Sequence, residues 1–464
     1  MTLRSPHRRG WLLPAVMTLL AAGPAAAQSS KANPPSEKIW QLCHAPDTAP
    51  DTRIASCSAL IESRLVTGRG LAEIHANRGG GYTEKRDLAR ALKDFDAAIK
   101  LAPDYGALYG NRGIAWFQKG DLDRAIADFG EQIRLEPSAA VGYARRAVMQ
   151  EKRRAQDLAI DDWRRAADLD PANRRNLAAA LSHRGDVLTI KGEFATAKVD
   201  LDEAIQLDPN YAIAYVNRGI LSAKSGDPDR AILDYDRALA LDPKLMLAWY
   251  NRAHAWKRKK DFDHAIADFS EALKLRPEIA IIFSARGETF QAKGDLASAI
   301  SDYGEAIRLD PGKAVNYFDR GNALRDRGDH QSALKDFEQM VRLTPQDARS
   351  WRSRGFMRMV TQDFRGAVDD FDQALKIDPS NTATYLNRGG CYDLLGDKQR
   401  AMADFDQAIR LEPSHPLAYV SRGKLLNDNG DRGGAVDMYR KALALAPGFP
   451  PAVENLQKIG EQPN

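Results

Sequence analysis

The sequence predicts an all-α protein built from repeated pairs of helices, and three observations indicate this fold class. Prolines recur every 34 residues from Pro103 to Pro447, apart from one step of 38 residues between Pro171 and Pro209. When each repeat is numbered so that its proline is repeat position 32, position 20 is alanine in all eleven repeats. Position 24 is aromatic in ten of them, with Leu201 as the exception. A period of this length is typical of helical repeat proteins.

The second repeat shows how two helices fit into one period. A first helix is predicted for YGNRGIAWFQK, residues 109–119, because its large and small residues follow helical spacing. Gly120 ends that helix and Asp121 caps the next one. The second helix runs through LDRAIADFGEQIRLE and stops at Pro137. Position 8 is always glycine or alanine, which lets the two helices approach closely while the aromatic residue fills the adjoining space.

The repeats resemble the tetratricopeptide repeat family, whose pattern one repeat matches throughout with Tyr109, Gly113, Trp116, Gly120, Ala125, Phe129 and Pro137. The resemblance covers residues 72–447, which we assign to eleven repeats. It implies a right-handed superhelical solenoid of stacked antiparallel helix pairs, with the first helices lining a concave groove. It indicates little about the ligand.

The N-terminus has the features of a cleaved signal peptide, residues 1–27. Arg4, Arg8 and Arg9 precede the apolar run WLLPAVMTLLAA, which is too short to span a bilayer comfortably. Three alanines at 25–27 supply a cleavage site. We therefore expect a periplasmic protein, with secretion as the alternative. The Arg8-Arg9 pair leaves export by the twin-arginine route open.

The segments that flank the repeats are predicted to be helical caps. Residues 28–71 contain an irregular hairpin with helices at 36–43 and 51–64, tied by a Cys43–Cys57 disulfide; two free thiols are the alternative. Residues 448–464 contain a single capping helix. The four extra residues near 173–176 add about one turn, which we expect to lengthen a loop rather than bend the groove.

Arginine at position 7 departs from the family pattern, which usually has leucine there. It occurs in all eleven repeats, and position 23 is aspartate in ten. A packed guanidinium needs a carboxylate partner. The last repeat has Met438 at position 23, and Leu456 takes the place of the arginine in the capping helix. This favours structural ion pairs across repeat junctions, such as Asp94–Arg112, Asp234–Arg252 and Asp404–Arg422. Partly solvated side chains are the alternative.

Composition narrows the function. The formal net charge is +4, and residues 1–27 contribute +3 of it, so the remaining chain is nearly neutral and lacks the dense basic face of nucleic-acid binding. No motif for a catalytic nucleophile, a metal or a phosphate appears, so we expect no enzyme activity, no cofactor and no metal. No later stretch is apolar enough for a membrane span in the mature chain.

The expected working surface is the groove, where related repeat proteins use asparagine ladders to bind extended peptides. Position 6 is asparagine in five repeats, and the amides offer a donor and an acceptor together. Local capping or water binding is the alternative. The predicted peptide-binding residues are Asn77, Asn111, Arg145, His183, Asn217, Tyr250, Asn251, His254, Arg352 and Asn387.

The sequence therefore predicts a non-catalytic scaffold or adapter of the periplasm or cell envelope that binds a protein or peptide of unknown identity. One alternative is an envelope polysaccharide-binding protein that stacks sugars on Trp249, Tyr250 and Trp351. Another is an activating subunit of an envelope enzyme.

Overall fold

The computed structural model describes residues 37–462. The predicted signal peptide, residues 1–27, lies outside this range. Every regular element within the described range is helical, and consecutive helices pack in pairs, which confirms the all-α repeat fold. The chain forms two compact units, whose described parts are residues 37–251 and residues 252–462.

The N-terminal unit begins with the hairpin that precedes the repeats. Its helices are α1 (Glu37–His44), α2 (Pro50–Ser63), α3 (Gly68–Glu84), α4 (Leu88–Leu101), α5 (Gly106–Lys119), α6 (Leu122–Leu135), α7 (Ala140–Lys152), α8 (Gln156–Leu169), α9 (Arg174–Lys191), α10 (Phe194–Leu207), α11 (Ala212–Lys224) and α12 (Pro228–Leu241). A short 3₁₀ turn, Pro171–Asn173, precedes α9.

The boundary between the units falls within α13 (Met246–Arg258). The C-terminal unit continues with α14 (Phe262–Leu275), α15 (Ala280–Lys293), α16 (Leu296–Leu309), α17 (Ala314–Asp326), α18 (His330–Leu343), α19 (Ala348–Val360), α20 (Phe364–Ile377), α21 (Thr382–Leu394), α22 (Lys398–Leu411), α23 (Pro416–Asp428), α24 (Arg432–Leu445) and the capping helix α25 (Pro450–Lys458).

The turn between the two helices of a repeat forms as its Gly-Asp sequence predicts. Gly120 ends α5 in the left-handed conformation, with φ of 90°, and Asp121 accepts a hydrogen bond from the backbone N–H of Arg124 at the start of α6. Glycine reaches this φ without the steric cost that a Cβ would add. The same aspartate cap recurs in most repeats.

Close packing within each pair depends on the glycine at position 8. A Cβ added to Gly113 would lie 2.7 Å from Cε1 of Phe129, the aromatic residue at position 24 of the same repeat. Phe129 is fully buried. The predicted role of these two positions is therefore confirmed: the small residue admits the ring, and the ring fills the space between the helices.

Both ends of the described chain are covered. Cys43 and Cys57 form the predicted disulfide, which joins α1 to α2. At the other end, Ala452 and Leu456 of α25 pack on Val436 and Tyr439 of α24. Helix α25 therefore covers an apolar face of α24, as a capping helix of a helical repeat array does.

The prediction for the four extra residues near 173–176 is wrong. They do not lengthen a loop. They extend α9 to 18 residues, whereas the neighbouring first helix α11 has 13. Asp170 caps the preceding 3₁₀ turn by accepting a hydrogen bond from the backbone N–H of Ala172, so helical turns continue directly into α9.

Candidate functional site

The arginine at position 7 makes a bidentate ion pair with the aspartate at position 23 of its own repeat. In the second repeat, Arg112 donates from Nε to Asp128 Oδ2 at 2.9 Å and from Nη2 to Oδ1 at 2.7 Å. The same two-point contact occurs in ten repeats: Arg78–Asp94, Arg112–Asp128, Arg146–Asp162, Arg184–Asp200, Arg218–Asp234, Arg252–Asp268, Arg286–Asp302, Arg320–Asp336, Arg354–Asp370 and Arg388–Asp404.

The predicted pairing across repeat junctions is therefore wrong. Asp94, Asp234 and Asp404 bind Arg78, Arg218 and Arg388, not Arg112, Arg252 and Arg422. The reason is geometric. The two helices of a repeat are antiparallel and packed closely at positions 8 and 24, so positions 7 and 23 beside them lie opposite each other.

The remaining donor of the guanidinium does reach across the junction, to a different position. Arg112 Nη1 donates to Asp96 Oδ1 at 2.7 Å, and Asp96 occupies position 25 of the preceding repeat. Equivalent contacts join Arg218 to Asp202 and Arg388 to Asp372. Sequence reasoning missed this residue, although position 25 is aspartate in five repeats: Asp96, Asp202, Asp236, Asp372 and Asp406.

Position 25 also explains the last repeat. Arg422 faces Met438 where the other repeats have aspartate, and its Nε donates to Asp406 Oδ1 of the preceding repeat at 2.6 Å. The methionine therefore does not leave the arginine without a carboxylate. Met438 therefore does not require pairing across the junction at position 23, because Asp406 supplies a second carboxylate.

Burial and hydrogen bonding act in opposite directions on the pKa values of these pairs, and burial raises the pKa of Asp128 and of Asp370 above the usual value for an aspartate. The hydrogen bonds that Arg112 donates to Asp128 raise the pKa of the Arg112 guanidinium above its usual value, against the opposing effect of burial. Burial alone would raise the pKa of Asp94, but hydrogen bonds from His75 and Arg78 hold it below its usual range. The pairs are partly shielded from water and serve the packing of helices, so they leave no reactive group free.

Half of the predicted peptide-binding residues are buried in helix packing. These are Asn111, Arg145, Asn217, Tyr250 and Asn251. Asn217 donates from Nδ2 to the backbone oxygen and to Oγ of Ser182 on the preceding first helix. Asn251 donates to the backbone oxygen of Leu247 within its own helix. These two amides make the local bonds that were the alternative to ligand contact.

The other five, Asn77, His183, His254, Arg352 and Asn387, are half-buried. Burial lowers the pKa of His254 to about 3, so its ring is neutral and offers no charge to a carboxylate. Arg352 Nη1 binds Asp378 at 3.0 Å. Peptide binding by these residues stays a prediction.

The three aromatic residues proposed for sugar stacking take part in contacts within the protein. Trp249 and Trp351 donate from Nε1 to the backbone oxygens of Pro243 and Pro345, at 2.9 and 2.8 Å. Tyr250 is buried. The contacts place these side chains in the packing of the turns between repeats.

First helices of neighbouring repeats touch each other in both units. α9 contacts α11 in the N-terminal unit, and α15 contacts α17 in the C-terminal unit. Second helices of neighbouring repeats show no comparable contact within residues 37–462. Within each unit the first helices therefore lie on the more closely spaced side of the repeats, and we call the surface formed by their outward residues the first-helix face of that unit.

In the C-terminal unit this face carries exposed apolar side chains. Val315 at position 2 of its repeat is 44% exposed, Leu417 at the same position is 42% exposed, and Phe356 at position 9 is 37% exposed. Repeats one and two instead bury positions 2 and 9: Glu73, Gly80, Ala107 and Ile114 are all buried. The accessible part of the first-helix face therefore includes α17, α19 and α23.

Charged side chains cross the same face in a row. Lys257 of α13 donates to Glu288 of α15 at 2.7 Å. Asp319 of α17 and Arg349 of α19 continue the row, and Arg349 lies 5.3 Å over the ring of Phe318. Asp319 stands at position 6 of its repeat, where five other repeats have asparagine, and the repeat pattern does not predict this row of charges.

The described residues were also searched for metal sites and for membrane-spanning helices. No group of three His, Cys, Asp or Glu side chains between residues 37 and 462 is arranged to hold a metal ion. Across the same span, no helix has both the length and the apolar character needed to cross a membrane.

Comparison with known proteins identifies the repeat. Families described as tetratricopeptide repeats match residues 82–140, 212–245, 247–279, 282–313, 322–384 and 395–450, and one described as TPR repeat matches residues 185–226. No curated protein matches the sequence.

Solved structures of repeat proteins resemble the chain at low identity. The C-terminal part of a TPR repeat-containing protein from Cytophaga hutchinsonii is 18% identical, with a TM-score of 0.46 over 52% of this chain and 99% of its own. The APC/C Cut9–Hcn1 hetero-tetramer contains a chain that is 16% identical, with a TM-score of 0.39 over 89% and 93%. YrrB, described as a TPR protein with an unusual peptide-binding site, is 21% identical, with a TM-score of 0.36 over 41% and 97%. On the repeated helix pairs and the family matches together, this chain belongs to the tetratricopeptide repeat family.

Proposed function

We propose that the protein is a non-catalytic adapter of the periplasm or cell envelope that holds a peptide or protein segment on its first-helix face. The tetratricopeptide repeat is generally a scaffold for protein interaction. The observation that carries the proposal is the accessible part of that face in the C-terminal unit, where exposed apolar residues alternate with charged ones.

The mixture suits a protein partner. Apolar side chains such as Val315 and Phe356 supply contact area that is favourable to remove from water, while charged neighbours select what binds. Successive first helices repeat the same positions at a regular spacing, which matches an extended segment better than a compact ligand. The conspicuous arginines and aspartates already serve the packing, which leaves binding rather than catalysis as the role of the surface.

Two features support export. The basic start, the apolar run and the alanines at 25–27 predict cleavage after Ala27. The Cys43–Cys57 disulfide suits an oxidising compartment such as the periplasm. Sequencing the N-terminus of the protein recovered from a periplasmic fraction tests this part, and we expect it to begin at Gln28. An uncleaved N-terminus in the cytoplasmic fraction would refute the location.

Photo-crosslinking in intact cells tests the surface. A photoreactive amino acid at position 315 should give discrete adducts with a partner protein, identified by mass spectrometry. The matched control is position 233, because Leu233 is also an exposed apolar residue but lies on a second helix, α12, and is 68% exposed. Adducts of equal intensity and identity from both positions would contradict binding on the first-helix face.

A further inference from the structure

Repeats nine and ten bring exposed apolar side chains together on the first-helix face of the C-terminal unit. Phe356 and Val360 stand four residues apart in α19, so they share one side of that helix, and both are exposed. Leu394 of α21 is 60% exposed and occupies position 13 of its repeat, as Val360 does in the preceding one. Because α19 and α21 contact each other, the three side chains lie in one region of the surface. A contiguous exposed apolar region of this kind is typical of an interaction site.

Gly390 leaves open space within this region. It occupies position 9 of α21, the position that holds Phe356 in α19, and it lies one turn before Leu394. A Cβ at Gly390 would meet no atom within 4 Å, whereas a Cβ at the preceding Gly389 would lie 2.7 Å from Phe405. Packing within the protein therefore requires a glycine at position 389 but not at position 390. The missing side chain leaves a depression between Phe356 and Leu394, and we call these residues, with Val360 and Gly390, the apolar patch.

The charges around the apolar patch are positive. Positions 2, 5, 6 and 9 of repeats nine to eleven carry three cations, Arg349, Arg352 and Lys424, and no carboxylate. Two of these cations are engaged within the protein. Arg352 lies 3.0 Å from Asp378, and Arg349 lies 3.6 Å from Asp347.

Lys424 is the cation best placed to meet a partner. It occupies position 9 of α23, the position of Gly390 in the adjoining helix α21, and its side chain is 57% exposed. Its Nζ lies 3.8 Å from Asp393, whose other carboxylate oxygen accepts a hydrogen bond from Lys398. Asp428 stands one turn further along α23, so the positive side of the depression is the side of Lys424. An exposed lysine whose neighbouring carboxylate is already bound by another lysine is available to a second carboxylate.

We propose that the apolar patch binds an acidic protein segment, which inserts one aromatic or large aliphatic side chain over Gly390 and sets a carboxylate against Lys424. The inserted side chain removes apolar surface of both partners from water, and the charge contact selects the segment and fixes its direction. The inference rests on the proposed peptide-binding function and names what the segment must carry.

Defined peptide pools test the patch on the full mature chain. We would immobilise biotinylated nonapeptides that are degenerate in alanine, serine and threonine. Their central residue is phenylalanine or alanine, and the two residues that flank it are both glutamate or both lysine. Biolayer interferometry avoids an aromatic dye, which could itself enter the depression.

The expected order of affinities follows from the two contacts. At low salt, the phenylalanine–glutamate pool should bind about tenfold more tightly than the alanine–glutamate pool, because only the former buries a large side chain. It should also bind about tenfold more tightly than the phenylalanine–lysine pool. That second difference should largely disappear in about 1 M NaCl, which screens exposed charges. A preference for the lysine pool would overturn the proposal.

Filling the depression locates the apolar contact. Gly390→Leu should reduce the preference for phenylalanine over alanine from about tenfold to about twofold or less. Gly433→Leu is the matched control, because Gly433 lies in a second helix, α24, and a Cβ there would meet only Asp431, at 4.0 Å. The control should keep the full preference. An equal loss in both variants would overturn the assignment to Gly390.

Removing one charge locates the acidic contact. Lys424→Gln should cut the preference for glutamate over lysine to about twofold. The matched control is Lys376→Gln, since Lys376 is an exposed lysine of a second helix, α20, and this variant should keep the preference. Retention of the full preference in Lys424→Gln would show that the carboxylate binds elsewhere.

Urea denaturation shows whether Gly390→Leu acts on binding alone. Its midpoint should be at least as high as that of the wild type, because the added side chain displaces no packed atom and leucine favours a helix more than glycine does. A lower midpoint would mean that the protein itself uses the space over Gly390, which contradicts the proposal.

The outcomes separate the two levels of inference. Equal binding of all pools by the wild type would refute the apolar patch and leave peptide capture standing. If no pool binds, the patch is wrong, and the proposed function fails with it only if position 315 also gives no adduct in cells. A wild type that sediments as a dimer and becomes a monomer as Gly390→Leu would identify a second copy of the chain as the occupant, against the proposal.

Discussion

At the scale of residues, one arginine performs two tasks in several repeats. Arg388 uses Nε and Nη2 to hold Asp404 in its own repeat and uses Nη1 to reach Asp372 in the preceding one. The fixed fork of the guanidinium makes this possible, because its donors point in different directions within one plane. Lysine, with a single ammonium, would not reproduce both contacts.

The two contacts of Arg388 should differ in energy. The Asp404 side chain is 7% exposed, whereas Asp372 is 38% exposed. We expect Asp404→Asn to lower the free energy of unfolding by about 3 kcal/mol, because it leaves a shielded arginine without its main partner. Asp372→Asn should cost only about 0.5 kcal/mol, because solvent screens that pair.

Double-mutant cycles in urea denaturation check this prediction. With Arg388→Met as the common variant, the coupling to Asp404 should be about 2 kcal/mol and the coupling to Asp372 below about 1 kcal/mol. Equal couplings would show that the contact across the junction matters as much as the contact within the repeat.

At the scale of elements, adjacent glycines in α21 have opposite roles. A Cβ at Gly389 would lie 2.7 Å from Cε1 of Phe405, so the helix pair depends on its absence. A Cβ at Gly390 would meet no atom within 4 Å. Both residues lie within the helix, where glycine costs backbone entropy relative to alanine.

Alanine substitutions should therefore change stability in opposite directions. Gly389→Ala should destabilise the protein by about 1–3 kcal/mol, because Phe405 has no room to move. Gly390→Ala should stabilise it by about 0.5 kcal/mol through helix propensity. Urea denaturation of the two variants provides the measurement, and each serves as the other's control. A loss of the same size at both positions would point to helix propensity or chain flexibility rather than to the contact with Phe405.

At the scale of the whole molecule, each repeat within a unit of the described chain contacts only the repeats next to it in sequence. The Cys43–Cys57 disulfide joins two helices that have repeats on one side only. In a chain of such nearest-neighbour contacts, a local loss of stability spreads only over a few adjacent elements.

Replacing both cysteines by serine should therefore act locally. We expect a loss of about 3 kcal/mol in the stability of the N-terminal hairpin, because the disulfide closes a loop of 14 residues. Amide hydrogen exchange should accelerate in α1, α2 and α3 and remain unchanged in residues 252–462. Faster exchange throughout the chain would contradict the nearest-neighbour description.

Prediction from the sequence succeeded where contacts are local and failed where they are not. The Gly120-Asp121 turn and the cap at Arg124 involve residues a few positions apart, so their chemistry is readable directly. The partner of Arg112 depends on how two helices are placed in space, and two aspartates, Asp96 and Asp128, satisfied different donors. The prediction of one carboxylate partner for each arginine was therefore incomplete.

The sequence predicted ten peptide-binding residues, but half of them are buried in helix packing. The asparagines at position 6 were predicted to bind a peptide because they recur, yet Asn111 and Asn217 are buried.

The sequence by itself determined the repeat, its two helices, the residues that cap and stop them, and the disulfide at one end. These follow from backbone preferences and spacings that act over a few residues. Only the tertiary structure decided which carboxylate each arginine binds and which part of the first-helix face is open to a partner. Both depend on the distance between packed helices, because burial and hydrogen bonding change over a few ångströms that periodicity does not specify.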